Sequence, residues 1–277
     1  MTSSSASADD QRVRLWLEIR EPLERQLAPL GRAAMDKLQL APGERVLDVG
    51  CGIGATPHAL AEAVGAGGCV VGLDVLQRAI DVAQSDVSLP KNLSFACGDA
   101  QSYPLEAGAY DAVFSRFGVM FFADPVAAFR NIRRALRPGG RLAFVCWRSL
   151  DENELDHLPL RAATPVLPAR LVAETASAGW LSFADKNQLH DLLSGAGFID
   201  VSITPHDELV GCGGLQATVD VCSRVGALGK ILRENPEFRD AAVEALGAAL
   251  AGRDAPGGPR LRAATWVIFA RAPTLND

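Results

Sequence analysis

Positive charge is in short supply in this sequence. The 277 residues include 27 Lys and Arg against 33 Asp and Glu, a net charge of −6 with a pI near 5.3. A phosphate backbone is held mainly by basic surface, so this balance argues against nucleic acid as the routine partner. The chain also lacks an Asn/Asp/Ser-Pro-Pro-aromatic stretch of the kind used on exocyclic base amines, and it has no Pro-Cys pair to serve as a cytosine nucleophile. Cysteine is thin and unpatterned. Six residues stand alone at 51, 69, 97, 146, 212 and 222, with no Cys-x-x-Cys, so neither a metal site nor a disulfide framework is readable. Most fall in apolar runs, where Cys acts as a small hydrophobe, and reduced thiols in the cytoplasm are the expectation. Long apolar runs are missing as well, and no segment is long enough to span a membrane. Met1–Asp10 is Ser/Ala-rich with two acids and no apolar stretch, which reads as a disordered tail rather than a signal peptide.

What is present is a chain rich enough in apolar residues (48%) to bury a large core. Its most informative stretch is Arg45-Val46-Leu47-Asp48-Val49-Gly50-Cys51-Gly52-Ile53-Gly54. An apolar strand carrying one acid runs into glycines at every second position, and a helical run, Thr56–Val64, follows at once. A strand–glycine turn–helix unit brings backbone N–H groups and the positive end of a helix close to a ligand. Read as Gly50-x-Gly52-x-x-Ala55, the same residues also satisfy a dinucleotide fingerprint. The alternative is a tight turn that binds nothing.

The next segments continue the pattern. Cys69–Asp74 reads as a buried strand ending in a carboxylate, about where a nucleotide-binding sheet places the acid that accepts both ribose hydroxyls. Asp74 equally suits the start of a helix over Gln77–Gln84. A third strand, Leu93–Cys97, leads into Gly98-Asp99-Ala100, where a carboxylate can accept from an adenine amine or simply cap a turn. A fourth strand, Tyr110–Ser115, is followed by Arg116-Phe117-Gly118-Val119-Met120-Phe121-Phe122. A helix over Val126–Leu136 stops at Arg137-Pro138-Gly139-Gly140, and a fifth strand covers Arg141–Trp147. Asp48 lies where a dinucleotide pyrophosphate would sit, and a buried negative charge there repels phosphate but welcomes a sulfonium and an ammonium.

Taken together, Val46–Gly54, Gly72-Leu73-Asp74, Gly98-Asp99-Ala100, Tyr110-Asp111-Ala112-Val113 and Leu136-Arg137-Pro138-Gly139-Gly140 resemble the class I S-adenosylmethionine-dependent methyltransferases. Among them the sequence is most similar to the ubiquinone/menaquinone-biosynthesis type and its small-molecule relatives. The resemblance covers Arg45–Trp147. It implies an α/β fold, a doubly wound, Rossmann-like sheet of seven mostly parallel strands with an antiparallel last strand. It implies S-adenosylmethionine as cofactor, with Gly50, Cys51, Gly52 and Gly54 against the methionine part and ribose. Asp48 would then anchor the amino group, Asp74 with Val75 the ribose, Asp99 with Ala100 the adenine, and Arg116 and Phe117 would border the methionine tail and the acceptor.

Beyond the core, residues 11–40 carry Leu15, Ile19, Leu23, Leu27 and Leu30 near helical spacing, with Pro22 and Pro29 breaking the run, and read as a helical lid. Trp16 lies off that stripe and could face the acceptor or serve as a buried anchor. The methyltransferase core is expected over 41–206 and 261–277, with a sixth strand at Phe198–Pro205 and a seventh at Leu261–Arg271. Between them, residues 207–260 hold helical patterns near Leu215–Leu228 and Pro236–Leu250. They read as a substrate cap, or as the interface of a homodimer. A sulfonium is already an activated donor, so the protein needs mainly to orient the acceptor and exclude water. A base is needed only for a hydroxyl or weakly acidic carbon, and His157 and His206 are the candidates. The apolar run at Phe117–Phe122 favours an aromatic, polyketide-like or prenylated small-molecule acceptor. A cofactor-binding sensor without turnover and a protein methyltransferase remain the alternative functions.

Overall fold

The computed structural model describes residues 3–175, 179–253 and 256–274. Its elements run α1 (Ser3–Glu18), α2 (Arg20–Leu38), β1 (Arg45–Val49), α3 (Ala55–Val64), β2 (Cys69–Asp74), α4 (Gln77–Gln84), β3 (Leu93–Cys97), β4 (Tyr110–Arg116), α5 (Pro125–Ala135) and β5 (Leu136–Trp147). They continue with α6 (Glu154–Ala163), α7 (Ala169–Glu174), α8 (Lys186–Gly195), β6 (Ile199–Gly211), α9 (Leu215–Cys222), α10 (Gly226–Glu234), α11 (Arg239–Ala251) and β7 (Arg260–Arg271). The strands form one sheet in the order β3-β2-β1-β4-β5-β7-β6. β7 alone runs antiparallel, paired with β5 on one side and β6 on the other.

Local chemistry explains most boundaries. β1 and β4 are buried along nearly their whole length, which a strand covered by helices on both faces requires. α5 starts where Asp124 accepts from the Ala127 N–H at 2.9 Å with Pro125 in the first turn. α8 starts at Asp185, whose carboxylate accepts from the N–H groups of Asn187 and Gln188. Helix α2 lies across β4, β5, β7 and β6, while α5 and α8 pack on β5 and β6, and α3 and α4 on β1, β2 and β3. Phe114, Phe129 and Phe144 are fully buried at the centre of the core.

Several boundaries differ from those read in the sequence. Helix α1 begins at Ser3, inside the stretch expected to be a disordered tail. Pro22 and Pro29 do not break the second helix. Pro22 falls in its first turn, where no backbone N–H is needed, and Pro29 is carried inside, so the break comes at Ile19 instead. β6 runs on to Gly211, so residues 207–211, expected in the cap, are paired with β7. The expected helix Leu215–Leu228 is two helices, because Gly226 takes φ +71° at the corner between α9 and α10.

Strand order reverses at β1, since the chain moves outward to β2 and β3 and then returns to β4 on the other side. Such a switch point opens a crevice at the carboxyl ends of β1 and β4. Two glycines bring the turns there into contact. A Cβ on Gly118 would lie 2.6 Å from the Val49 carbonyl oxygen and 2.8 Å from the Gly50 Cα. We therefore expect Gly118→Ala to lower stability by about 1–3 kcal/mol, as overpacking does, measured by urea unfolding. A variant as stable as the parent would show that the two turns can separate freely.

Candidate functional site

The crevice is built from the ends of four parallel strands. Gly50, Gly52 and Gly54 have φ of +74°, +54° and +96°, a run of left-handed positions that side chains rarely tolerate. Gly54 is the N-cap of α3. A Cβ on Gly52 would meet nothing within 4 Å, so its backbone faces open space. Ser115, fully buried in β4, donates to the Val49 carbonyl at 2.7 Å and receives the Gly118 N–H at 3.3 Å, locking the two turns together.

Asp48 stands at the base of this crevice with no solvent exposure. Its Oδ2 accepts from the Thr56 hydroxyl at 2.5 Å. Its Oδ1 is buried and has no hydrogen-bond partner among the described residues. Burial pushes its pKa up to about 7, against the Thr56 hydrogen bond and the nearby Arg116 charge, which both favour the carboxylate. An unpaired buried carboxylate oxygen is costly, and a cation placed against it would relieve that cost. Cys51, next in the loop, is buried, and desolvation holds its thiol well above the ordinary range, so it is an inert neighbour.

Asp74, at the end of β2, takes the expected helix-start role. Its Oδ2 accepts from the Gly52 N–H at 2.8 Å and so shapes the glycine loop, while Oδ1 accepts from the Leu76 N–H at 2.9 Å and starts α4. A carboxylate has about four acceptor sites, so Asp74 can still accept from a diol. Val75 beside it is 65% exposed, an apolar surface at the crevice edge. The turn after β3 is tied to this one, because the Gly98 N–H donates to the Asp74 carbonyl at 2.9 Å. There Asp99 accepts from the backbone and side-chain nitrogens of Gln101 at 2.9 and 2.7 Å, and Ala100 is buried with its carbonyl held by Asn131. Asp99 is thus a turn former in the structure, set beside Asp74.

Across the crevice, Arg116 ends β4. Its guanidinium donates to both carboxylate oxygens of Glu24 on α2, at 2.7 and 2.6 Å. Phe117 follows at φ +58°, a left-handed conformation that costs a bulky residue of order 1–3 kcal/mol and concentrates at functional sites. Its ring stacks on Trp147 of β5, with centroids 4.1 Å apart and planes at 14°. Glu24, Thr56 and Trp147 were not singled out from the sequence. Thr56 and Trp147 stood in view at the start of α3 and the end of β5, but their contacts are tertiary, and nothing in the spacing of Glu24 pairs it with Arg116.

The two candidate histidines lie on β6 and α6. His206 on β6 lies opposite Thr265 of β7, which lies opposite Trp147 of β5, so the three share one face of the sheet. Its Nε2 is buried without a hydrogen bond, 3.9 Å from Glu208. Three strand spacings separate β6 from β4, roughly 14 Å, so His206 does not reach the β1–β4 crevice. His157 sits on α6, half-buried, and its backbone N–H donates to the Asn153 carbonyl.

The N-terminal helices and the segment after β6 do meet. Val13 and Trp16 of α1 pack with Leu76, Ala79, Val82 and Ile53 around α4 and the glycine loop, so Trp16 serves as an anchor there. Further along, Leu15, Ile19 and Leu23 pack with Cys212, Ala217, Val221 and Val225, and Glu18 pairs with Arg224 at 2.7 Å. The helices after β6 are also pinned to α6, where the buried Asp156 accepts from the Ala227 N–H at 2.8 Å. Among the described residues no group of three or more His, Cys, Asp or Glu is placed to hold a metal ion, and no helix is long and apolar enough to cross a membrane.

Residues 47–144 match the family described as "Methyltransferase domain". Residues 47–144 are thus a methyltransferase domain. The chain is 37% identical over 118 residues to an aklanonic acid methyltransferase of a Streptomyces species, covering 42% of this chain and 54% of that protein. It is 28% identical over 179 residues to a demethylmenaquinone methyltransferase of Staphylococcus epidermidis, covering 61% of this chain and 73% of that one. The fold matches a phosphoethanolamine N-methyltransferase of Haemonchus contortus with a TM-score of 0.54 at 19% identity, over 88% of this chain and 52% of that one. The chain thus spans about half the length of the first of these relatives and of this structure.

The geometry of the crevice suits S-adenosylmethionine. The unpaired Asp48 oxygen suits an ammonium, the open side of Gly52 leaves room for a close approach, and Asp74 retains lone pairs for a diol. Two outcomes test this. Asp48 in the free protein holds its proton below about pH 7, and an ammonium can pair only with the deprotonated form. S-adenosylhomocysteine should therefore bind about tenfold more weakly at pH 6 than at pH 8, with proton release seen by calorimetry in buffers of different ionisation heat. Asp48→Asn should bind weakly and without this slope, and a slope that persists in the variant would place the titrating group elsewhere. Asp74→Ala should lose about 1.5–3 kcal/mol of affinity for the same ligand while staying folded. Unchanged affinity would leave Asp74 as a turn and helix-start residue only.

Proposed function

We propose that the protein transfers a methyl group from S-adenosylmethionine to a small acceptor with an aromatic or extended apolar ring system, by in-line displacement. The observation that carries the donor half is the buried Asp48 oxygen without a partner beside a glycine loop open at Gly52. Bound there, S-adenosylmethionine supplies an activated methyl on a cationic sulfur. In this reading Asp48 anchors its amino group, and Gly50, Cys51, Gly52 and Gly54 line its methionine part and ribose. Asp74 and Val75 hold the ribose, Asp99 and Ala100 flank the adenine, and Arg116 and Phe117 border the methionine tail. The lead helices and the segment after β6 close over the carboxyl ends of the strands and choose the acceptor, working in the cytoplasm. A second copy docked on the same helices is the competing role for that segment.

The acceptor half rests on Phe117 and Trp147. A stacked aromatic pair at the end of β4 and β5 offers a flat apolar wall beside the donor crevice. Relatives named for small-molecule acceptors support the same class. The protein's work is then orientation and exclusion of water rather than acid–base chemistry.

Incubation with labelled S-adenosylmethionine and a panel of hydroxylated naphthoquinones, anthraquinones, amino acids, sugars and peptides tests this directly. Label should move to the polycyclic acceptors. Label moving only to peptides would favour a protein methyltransferase, and tight binding without turnover on any acceptor would favour a sensor. Trp147→Ala should raise KM for a ring acceptor about tenfold or more, the loss of one aromatic contact of about 1.5 kcal/mol, with affinity for S-adenosylhomocysteine unchanged. An unaltered KM would remove the ring pair from the acceptor site.

A further inference from the structure

The two halves of the site are tied by an ion pair that no part of the motif set contains. Arg116 is 13% exposed and Glu24, on the N-terminal helix α2, is 37% exposed. Their contact is a two-pronged fork of 2.7 and 2.6 Å, the geometry that fixes a guanidinium in both position and plane. The arginine reaches Glu24 past Gly31 of the same helix, where a Cβ would stand 2.6 Å from the Arg116 Cδ. Glycine in the middle of a helix is unfavourable, so its presence there is explained by the side chain that it admits.

A guanidinium has five N–H donors. Two go to Glu24, and the other three have no acceptor among the described residues. The free donors belong to the residue at the carboxyl end of β4, whose charge acts on Asp48 at the end of β1. An amino-acid tail carries an ammonium and a carboxylate a few ångströms apart. The crevice offers an unpaired carboxylate oxygen for one and a half-used guanidinium for the other.

We infer that Glu24 is a positioning residue of the donor site: from the N-terminal helix it holds Arg116 in the slot opened by Gly31, so that the carboxylate of the donor's methionine tail meets a cation already fixed in place. The inference rests on the donor reading proposed above. Its consequence is that α2 serves the donor as well as the acceptor, because a long arginine left free would have to be ordered at the moment of binding.

The test compares S-adenosylhomocysteine with 5′-methylthioadenosine, which keeps the adenosine and the sulfur but lacks the amino-acid tail. Both are titrated calorimetrically into the full-length protein, into Glu24→Gln, which removes the charge, into Glu24→Asp, and into Arg116→Lys, which cannot form the fork. Glu24→Gln and Arg116→Lys should weaken S-adenosylhomocysteine about tenfold and leave 5′-methylthioadenosine unchanged, with Glu24→Asp in between. Melting of the ligand-free variants is followed in parallel. Equal losses for both ligands would make the pair merely structural and overturn the inference. So would unchanged binding of S-adenosylhomocysteine with a raised acceptor KM, which would give the pair to the acceptor. Tighter binding by Glu24→Gln would show that Glu24 competes with the ligand carboxylate, and also overturns it. Wild-type protein that binds neither ligand refutes the donor reading itself, whereas selective loss in the variants can be seen only if that reading holds.

Discussion

The arrangement of the site depends on the meeting of two backbone turns. Gly50 after β1 and Gly118 after β4 pass so close that neither position accepts a Cβ, and the buried Ser115 hydroxyl bonds to both sides of the contact. Parallel neighbours alone would leave the strand ends splayed by their twist. The contact instead fixes the distance between Asp48, at the end of one strand, and Arg116, at the end of the other. Opposite charges are thereby held on the two walls of one crevice, with the glycine loop as floor. The left-handed conformation of Phe117 belongs to the same constraint, since the chain must turn sharply after Arg116 to let Gly118 in.

Around that frame, electrostatics divides the labour. Asp48 is buried, and its desolvation is only partly offset by Thr56 and Arg116. Asp74, by contrast, accepts from backbone N–H groups on both oxygens and is a settled part of two turns. The first is a group kept wanting a partner, and the second is a group that offers spare lone pairs. A ligand with a cationic end and a polar diol is matched by such an unequal pair.

How far the sequence could be read follows from the range of the interactions involved. The strands of the donor half, their order and the acids at their ends are set by local patterns: an apolar run, an acid, and glycine where φ must be positive. These were legible, and the antiparallel seventh strand followed from the resemblance. Boundaries governed by tertiary packing were not. Pro22 looked like a breaker until its place in a first turn was known, and the alternation in β6 beyond Pro205 gave no sign that pairing with β7 continues to Gly211. Glu24 and Trp147 were opaque for the same reason. One is joined to its partner across 92 positions of chain, and the other acquires its meaning only when Phe117 turns back over it.

The segment after β6 leaves and re-enters the sheet at residues that face each other, since Gly211 lies opposite Arg260 on adjacent antiparallel strands. Its ends are therefore clamped at one strand spacing whatever lies between them. The entropy of closing such a loop grows only with the logarithm of its length, about 0.6 kcal/mol for each doubling. Helices can be lengthened, shortened or exchanged there without altering the register of any other pair of strands. The donor crevice lies four strands away at β1. If the proposed function holds, such a chain can change its acceptor by rewriting one loop while its donor site stays the same.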